Sequence, residues 1–277
     1  YKNEINFIFG DIRDYDSVLK AMKGCKMVFH LAALVGIPYS YMSPQAYIKT
    51  NIEGTYNILE SSKHLNIDQA IITSTSEVYG SAKYVPIDEK HPFSAQSPYS
   101  ASKISADQLA FSYYNSFQLP IKILRPFNIY GPRQSGRAVI PSIIIQALHN
   151  KKEIKLGNVK PSRDLTYVAD TCEAFLEILK VKNFFGKTLN VGSNNEYTIE
   201  KIARIILKKL NSKAIIKKDK KRVRTSKSEV ARLVCDNTKI LKHTNWKPKI
   251  NIDKGLDNTI EWFKEFKDFF KHNIYHI

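Results

Sequence analysis

The most constraining feature of this 277-residue sequence is an alternation between short apolar runs and longer amphipathic stretches. The short runs are rich in β-branched and aromatic residues, which favour strands, and the longer stretches have helical spacing. Strand–helix–strand repeats of this length predict a parallel sheet with helices on both faces. The expected strands lie at residues 5–9, 27–31, 69–73, 121–124 and 188–191, and the expected helices at residues 17–22, 44–65 and 98–117.

The pattern changes near residue 125, which predicts two regions. Residues 1–125 have the pattern of a doubly wound α/β domain with a parallel sheet. Residues 126–277 contain shorter, mixed segments and form the expected smaller C-terminal α/β region. Within it, residues 164–192 are expected to return partly to the main sheet, because a parallel-type strand reappears there.

The net charge of +17 comes from 43 Lys and Arg against 26 Asp and Glu. Most of the excess is Lys, concentrated at residues 208–227 and near the C-terminus. These lysines lack the interleaved aromatic side chains that stack on bases. We therefore expect a solvated surface and no nucleic-acid partner.

The three cysteines, Cys25, Cys172 and Cys235, are too few and too scattered for a disulfide framework or a metal cluster. No apolar run approaches the roughly 18 residues needed to span a bilayer. The sequence therefore predicts a cytoplasmic protein without a metal or a membrane partner.

Tyr99 and Lys103 stand four residues apart in the helical stretch that begins at Pro98. This spacing puts the phenol and the ammonium on one helix face, about one turn apart. A nearby ammonium stabilises phenolate and moves the phenol pKa from about 10 toward neutrality. The pair is a candidate base for a sugar hydroxyl proton, although a surface Tyr–Lys pair has the same spacing.

A polar run at residues 74–80, Ser-Thr-Ser-Glu-Val-Tyr-Gly, directly follows the apolar strand expected at residues 69–73. Ligands bind at the carboxyl ends of parallel strands, where this run would lie. Thr75, Ser76 and Glu77 are therefore candidate catalytic residues. A capped turn before a loop is the structural alternative.

The sequence contains no glycine cluster of the kind that holds the pyrophosphate of a dinucleotide at a helix N-terminus. Either the sheet binds no dinucleotide, or the first βαβ unit lies upstream of Tyr1. The other motifs favour the second alternative, so we expect the chain to lack its first βαβ unit.

Together these segments resemble the extended short-chain dehydrogenase/reductase family, whose NAD-dependent members epimerise or dehydrate nucleotide sugars. The resemblance covers nearly the whole chain and implies a Rossmann-like sheet with NAD as the cofactor. It is also carried by motifs at residues 10–14 (Gly-Asp-Ile-Arg-Asp), 30–33 (His-Leu-Ala-Ala), 50–55 (Thr-Asn-Ile-Glu-Gly-Thr), 125–133 (Arg-Pro-Phe-Asn-Ile-Tyr-Gly-Pro-Arg) and 162–170 (Ser-Arg-Asp-Leu-Thr-Tyr-Val-Ala-Asp).

The resemblance assigns binding roles to several of these residues. Asp11 and Ile12 would meet the adenine, and the segment Leu31, Ala32 and Ala33 would pass beneath the cofactor, which Tyr99 and Lys103 would also contact. The residues expected to bind a nucleotide-sugar substrate are Asn128, Arg137, Arg163 and Arg232. Of these, Asn128, Arg163 and Arg232 should converge on its diphosphate.

Within the family, three stretches are similar to the 4,6-dehydratases that act on nucleotide-linked N-acetylglucosamine in legionaminic-acid-type pathways. They lie at residues 37–41, 131–141 and 227–233. If the missing first βαβ unit is present, the implied reaction is NAD-dependent 4,6-dehydration of UDP- or GDP-N-acetylglucosamine in glycan biosynthesis. Tyr99, Lys103 and Thr75 would remove the C4 hydroxyl proton, and Glu77 the C5 proton.

The run Thr75-Ser76-Glu77 departs from the Thr-Asp-Glu of glucose 4,6-dehydratases, in which the Asp protonates the departing water. It also looks like the run of UDP-glucuronate decarboxylases. A C4 epimerase or a decarboxylase therefore stays open, as does an inactive fragment or interaction module.

The resemblance further implies a homodimer in which the helices at residues 44–65 and 98–117 pair with those of a second copy. Each helix should then present an apolar face to its partner. Light scattering of the protein should give about twice the mass of one chain. A strictly monomeric mass across a wide concentration range would contradict this assembly.

Overall fold

The computed structural model of the protein describes residues 4–149 and 152–270. The described chain forms two compact units that alternate along the sequence. The first contains residues 4–78, 97–124 and 182–188, and the second contains residues 79–96, 125–181 and 189–270, without 150 and 151. The functional division expected at residue 125 stays a prediction, because compactness does not show what each unit binds.

The helices and strands follow each other in an α/β order. The helices are α1 (Tyr15–Met22), α2 (Ile37–Met42), α3 (Pro44–Tyr47), α4 (Gly54–His64), α5 (Pro98–Phe117), α6 (Val139–Leu148), α7 (Val168–Lys180), α8 (Ile199–Lys209), α9 (Thr238–His243) and α10 (Ile252–Glu265). The strands are β1 (Met27–His30), β2 (Gln69–Thr73), β3 (Ile121–Pro126), β4 (Asn128–Tyr130), β5 (Glu153–Leu156), β6 (Ser162–Tyr167), β7 (Lys187–Val191), β8 (Glu196–Thr198), β9 (Ile215–Lys218) and β10 (Arg232–Leu233). Across the described residues, every helix is too short or too polar to cross a membrane.

A four-stranded sheet has the strand order β1-β2-β3-β7, and β1 and β2 lie wholly in the first unit. Both β1 and β3 pair with β2 in parallel, so that Ala70 lies opposite Val28 on one side and Ile121 on the other. This sheet confirms the predicted α/β fold with a Rossmann-like parallel sheet.

Strand β2 is buried on both faces, as its continuous apolar run predicts. Ala70, Ile71 and Ile72 are each at most 1% exposed. Ile72 belongs to a core that includes Leu59 of α4 and Ala110 of α5. The core thereby fixes the carboxyl end of β2, where the polar run at residues 74–80 begins.

Helix α5 begins with a capping box and a proline, and it spans the residues predicted. The Ser97 hydroxyl accepts a hydrogen bond from the Ser100 amide, and the Ser97 amide donates to the Ser100 hydroxyl, both at 3.1 Å. Pro98 lies in the first turn, where its missing N–H leaves no partner unsatisfied. The cap therefore fixes where Tyr99 and Lys103 sit along the helix.

The helix expected at residues 44–65 is continuous but not uniformly α-helical. A π-helical segment, Ile48–Glu53, separates α3 from α4. Its buried Asn51 reaches out of the helix: its side-chain amide donates to the Leu34 carbonyl at 3.0 Å and to the Ser102 hydroxyl at 2.9 Å. The widened turn thus accommodates an inward polar side chain that helical periodicity does not reveal.

The strand expected at residues 5–9 is wrong. These residues have no regular structure, and Phe7 and Phe9 are 82% and 94% exposed. A strand forms only beside a hydrogen-bonding neighbour, and within residues 4–149 and 152–270 the sheet order ends at β1. An apolar run predicts the propensity for a strand but not the presence of its partner.

The second unit contains a smaller sheet with the order β10-β6-β4, and β8 pairs with β6 in antiparallel fashion. A separate parallel pair joins β5 to β9. Helices α6, α8 and α10 contribute the core residues Ile143, Ile206 and Phe263, each fully buried. This core forms around different helices from those of the first unit.

Gly255 of α10 leaves room for the ring of Tyr130 in the core of the second unit. A Cβ atom at Gly255 would lie 2.7 Å from Tyr130 Cζ. We expect Gly255→Ala to destabilise the protein by about 1–3 kcal/mol, because this overlap outweighs a helix-propensity gain of about 1 kcal/mol. The free energy of unfolding in urea measures the change.

The matched control is Lys254→Ala at the neighbouring exposed position of α10, which should change stability by less than about 0.5 kcal/mol. If Gly255→Ala were as stable as the unaltered protein, the close packing of Tyr130 on α10 would be disproved.

Candidate active site

The polar residues that follow β2 meet the start of helix α5 within the first unit. Lys103 is 3% exposed, and its ammonium donates a hydrogen bond of 2.6 Å to the Thr73 carbonyl at the end of β2. Burial lowers the pKa of Lys103, and the nearby Asp107 carboxylate opposes that effect. The structure therefore places a buried cation at the carboxyl end of a parallel strand.

Tyr99 lies one helical turn before Lys103, and its phenol is 6% exposed. Burial raises the pKa of Tyr99, while a hydrogen bond with Thr75 lowers it. The charge of Glu77 also disfavours the phenolate. Tyr99 is thus held protonated beside two of the residues predicted to act with it, and it requires added positive charge to serve as a base.

Aromatic packing fixes the orientation of the Tyr99 ring. Tyr47 meets it edge to face, with ring centroids 6.1 Å apart. The Tyr47 hydroxyl is itself anchored, because it donates a hydrogen bond to the Gly36 carbonyl. The ring of Tyr99 is therefore held by Tyr47, and its phenol oxygen by the hydrogen bond with Thr75.

Glu77 lies in a short 3₁₀ turn, Ser76–Tyr79. Its amide donates to the Thr75 hydroxyl at 3.2 Å, which holds the turn against the strand end. The Glu77 side chain is partly exposed, whereas Ser76 is 2% exposed. The structure therefore brings Tyr99, Thr75 and Glu77 together and leaves Glu77 accessible to a ligand.

The residues predicted to bind the cofactor occupy loops before α1 and after β1. Two nitrogens of Arg13 bind the Asp11 carboxylate, and these hydrogen bonds lower the pKa of Asp11 to about 2. The Ile12 carbonyl accepts a hydrogen bond of 2.9 Å from the Asn57 side chain. The loop before α1 is therefore held to helix α4.

The loop after β1 presents apolar side chains to solvent. Leu31 is 64% exposed, Ala32 is exposed and Ala33 is half-buried. Asn51 holds the next residue from both sides, because its carbonyl oxygen accepts from the Leu34 amide at 2.8 Å and its amide donates to the Leu34 carbonyl. Leu31 and Ala32 thus form an exposed apolar ledge, anchored through Leu34 and Asn51, that suits contact with the flat face of a cofactor ring.

In the second unit, four buried side-chain polar atoms have no hydrogen-bond partner among the described residues. Two of them are Asn128 Oδ1, at the start of β4, and Arg224 Nη1, and the others belong to Gln134 and Thr166. Buried polar atoms without partners are costly, so each marks a place where a polar ligand could bind. Asn128 was predicted from its motif, but Arg224 was not, because it lies in a basic run that indicated a solvated surface.

The two arginines predicted on β6 and β10 have different surroundings. Arg163 is 7% exposed, and its Nη1 donates to the carbonyls of Ser162 and Val230, both at 2.9 Å. Arg232 is exposed and forms a bidentate pair with Glu196 at 2.7 and 2.8 Å, which lowers the pKa of Glu196 to about 2.

The strand register separates these two arginines. Arg232 lies opposite Ser162, whereas Arg163 lies opposite Leu233. Neighbouring residues of a strand point to opposite faces, so the two guanidinium groups extend from opposite sides of this sheet. Arg137, in the loop before α6, is exposed, and its amide donates to Ser135 at 3.4 Å.

A buried polar network next to Phe127, which the sequence did not indicate, also supports the second unit. Arg125 is 2% exposed, stacks on the Phe93 ring at 4.8 Å and donates to the Tyr79 hydroxyl at 3.0 Å. The Tyr79 hydroxyl in turn donates to Asn190 at 2.7 Å. Burial raises the pKa of Tyr79 to about 12, so this phenol acts as a neutral bridge.

A parallel sheet with Tyr99, Lys103, Thr75 and Glu77 near the carboxyl end of β2 is the arrangement expected of a short-chain dehydrogenase/reductase that acts on nucleotide sugars. The chain matches the family model described as GDP-mannose 4,6 dehydratase over residues 1–259. It therefore belongs to the extended short-chain dehydrogenase/reductase family of nucleotide-sugar dehydratases and epimerases, as the sequence motifs predicted.

Relatives with two kinds of activity are similar to this chain. It is 30% identical over 269 residues to dTDP-D-glucose 4,6-dehydratase from Homo sapiens, covering 95% of this chain and 76% of the relative. It is 31% identical over 241 residues to UDP-glucuronate 4-epimerase from Thermodesulfobacterium geofontis, covering 86% and 72%. The N-acetylglucosamine specificity expected from the subgroup motifs stays a prediction.

A solved structure of UDP-glucuronic acid 4-epimerase from Bacillus cereus, in complex with UDP-glucuronic acid and NAD, is also similar. Its TM-score is 0.88 at 29% identity, over 96% of this chain and 84% of that chain. The likeness therefore extends from single motifs to the fold.

The surroundings of Arg163 predict a structural contribution that does not depend on ligand. Arg163→Met would leave two buried carbonyls without their donor, so we expect a loss of about 1–3 kcal/mol in the free energy of unfolding. Arg232→Met, the matched control at an exposed ion pair, should lose less than about 1 kcal/mol. Equal stability of the two variants without ligand would show that Arg163 is not a structural donor.

Proposed function

We propose that the protein is an NAD-dependent 4,6-dehydratase that converts a nucleotide-diphosphate N-acetylhexosamine, UDP- or GDP-N-acetylglucosamine, to a 4-keto-6-deoxy sugar. The observation that carries this proposal is the gathering of Tyr99, Thr75 and Glu77 at the carboxyl end of β2, with Lys103 one turn from Tyr99. Oxidation of the sugar at C4 needs Tyr99, Thr75 and Lys103. Elimination of water across C5 and C6 also needs a carboxylate to remove the C5 proton, and Glu77 provides one.

The first unit supplies surfaces that fit NAD. The exposed ledge of Leu31 and Ala32 suits the flat nicotinamide ring, and Ile12 with Asp11 offers an apolar and a polar contact for the adenine end. Tyr99 and Lys103 would complete the binding site at the reacting end. NAD held by these residues would supply the redox chemistry, as the acceptor of the C4 hydride and its later donor to C6.

The chain's own residues then move the protons. Tyr99, oriented by Thr75 and with its phenolate favoured by charged Lys103, takes the C4 hydroxyl proton. The resulting 4-keto group acidifies the C5 hydrogen, which Glu77 removes. Because Ser76 has a weakly acidic hydroxyl and is buried, Glu77 also passes its proton to the hydroxyl that leaves C6 as water. When the hydride returns to C6, C5 takes a proton from solvent, and Tyr99 gives its proton to solvent.

For the substrate we propose Asn128, Arg137, Arg163 and Arg232, and we add Arg224. Because Arg163 and Arg232 extend from opposite sides of their sheet, they would contact different parts of the substrate and not one phosphate group together. The support for Arg224 is its unpartnered buried Nη1, a donor that suits a phosphate oxygen. Asn128 would bind phosphate through its side-chain nitrogen, because its unpartnered Oδ1 is an acceptor. A guanidinium suits the geometry of phosphate oxygens better than an ammonium does. Arg232 would have to exchange its pairing with Glu196 for such a ligand.

A C4 epimerase is the second candidate, favoured by the likeness to UDP-glucuronate 4-epimerase. An epimerase uses the same Tyr99 and Lys103 but does not require the Glu77 carboxylate. The role of Glu77 therefore separates the two reactions.

We further propose a cytoplasmic homodimer that pairs α4 and α5 with those of a second copy. Two large side chains on these helices support the pairing, because Tyr56 and Phe117 are 45% and 52% exposed. Free thiols at the exposed Cys25 and Cys172 suit a reducing compartment.

Glu77→Gln tests the dehydration. It preserves size and hydrogen bonding but cannot accept the C5 proton, so the variant should accumulate reduced cofactor and a 4-keto sugar. The rate of product formation should fall by about 10² to 10⁴. The measurements are single-turnover absorbance of the reduced nicotinamide and NMR of C5 hydrogen exchange with deuterium.

Tyr99→Phe is the control that stops the reaction earlier, before any reduced cofactor appears. If Glu77→Gln left product formation and C5 exchange near their original rates, the dehydratase would be excluded and the epimerase would take its place.

A further inference from the structure

Asp107 is a fully buried carboxylate that the proposed proton transfers do not use. It lies on α5 four residues after Lys103, which itself lies four residues after Tyr99. This spacing stacks the three side chains on one face of the helix, with the cation in the middle. Asp107 is 0% exposed, so its charge is not screened by water.

A second element holds Asp107 in place. The hydroxyl of Ser74, the first residue after β2, donates a hydrogen bond of 2.8 Å to Asp107 Oδ2. The Ser74 amide donates to the Leu124 carbonyl of β3 at 2.7 Å. The carboxylate is therefore anchored to the same strand end whose Thr73 carbonyl accepts from Lys103.

We propose that Asp107 is a positioning residue that keeps Lys103 protonated, and that it thereby sets the pH range in which Tyr99 can act as a base. A buried ammonium loses its proton unless an opposite charge compensates for the lost water. The Thr73 carbonyl is a dipole, whereas Asp107 supplies a full negative charge to the same buried site. This inference rests on the proposed function of Tyr99 and Lys103.

The charge of Asp107 acts on the other two side chains, Lys103 and Tyr99. Burial lowers the pKa of Lys103, and Asp107 raises it. Asp107 also raises the pKa of Tyr99, in the same direction as Glu77 and Tyr47.

Another titratable group that the charge of Lys103 affects is His30 on β1. It is buried, pairs with Thr55 at 3.0 Å and has a pKa lowered to about 3, so it stays neutral near pH 7. His30 therefore adds no charge near Lys103 at neutral pH, whereas Asp107 places a buried carboxylate on the same face of α5.

The first test needs no substrate. In protein labelled with ¹³C at lysine Cε, the Lys103 signal is identified by its loss in Lys103→Met, and its titration is followed by NMR. Asp107→Asn should lower the titration midpoint of Lys103 by about one pH unit or more. Asp107→Glu retains the charge and should restore most of the midpoint.

Ser74→Ala is the matched control, because it removes a hydrogen bond at the same buried place but leaves the carboxylate. Its Lys103 midpoint should stay closer to that of the unaltered protein than the midpoint of Asp107→Asn does. A folded Asp107→Asn variant with an unchanged Lys103 midpoint would overturn the proposal.

Asp107→Asn could instead prevent folding, and a double-mutant cycle covers that case. Removing Asp107 alone leaves an uncompensated buried cation, so adding Lys103→Met should recover stability. Independent, additive losses in the free energy of unfolding would contradict the charge pair.

The second test is the pH profile of kcat/KM for formation of the 4-keto sugar. Activity rises as Tyr99 loses its proton and falls as Lys103 loses its own. Asp107 raises both pKa values, so Asp107→Asn should shift the whole bell-shaped profile to lower pH. A purely structural role would lower the rate and leave both limbs where they were.

The two tests separate the inference from the proposed function. If the unaltered protein oxidised no nucleotide sugar, the proposed function would fail while the lysine titration still decided the role of Asp107. If the enzyme were active and neither the titration nor the pH profile moved, this inference alone would fail.

Discussion

The candidate site depends on one buried cation at the end of a parallel strand. The bond from Lys103 to the Thr73 carbonyl joins helix α5 to strand β2, which are distant in sequence. A desolvated ammonium is unfavourable unless backbone dipoles and an anion surround it. The strand end, the Asn51-anchored loop and the capped start of α5 are all arranged around this requirement.

Several features were accessible from sequence because they are encoded locally. The limits of β2 and α5 were predicted at the same residues that the structure shows. For β2 the signal was a continuous apolar run, and for α5 it was the serine and proline at the helix start. The proximity of Tyr99 and Lys103 followed from helix geometry alone.

What the sequence did not reveal depends on partners distant in the chain. The strand expected at residues 5–9 had the right composition but no neighbour among the described residues. The motif around Arg163 also gave no sign that its Nη1 donates hydrogen bonds to two backbone carbonyls. The unpartnered nitrogen of Arg224 was hidden among exposed lysines, because charge density in a sequence does not distinguish one buried guanidinium from its solvated neighbours.

The π-helical segment Ile48–Glu53 has a consequence for how this chain can vary in length. A π-helical turn contains one residue more than an α-helical turn, so it absorbs the extra residue locally and the flanking helical residues keep their faces. A one-residue deletion there would convert the segment to a regular helix and leave the half-exposed Tyr56 on the same side of α4. It would withdraw Asn51 from Leu34 and Ser102, so the loop after β1 would lose its anchor while the surface of α4 stayed the same.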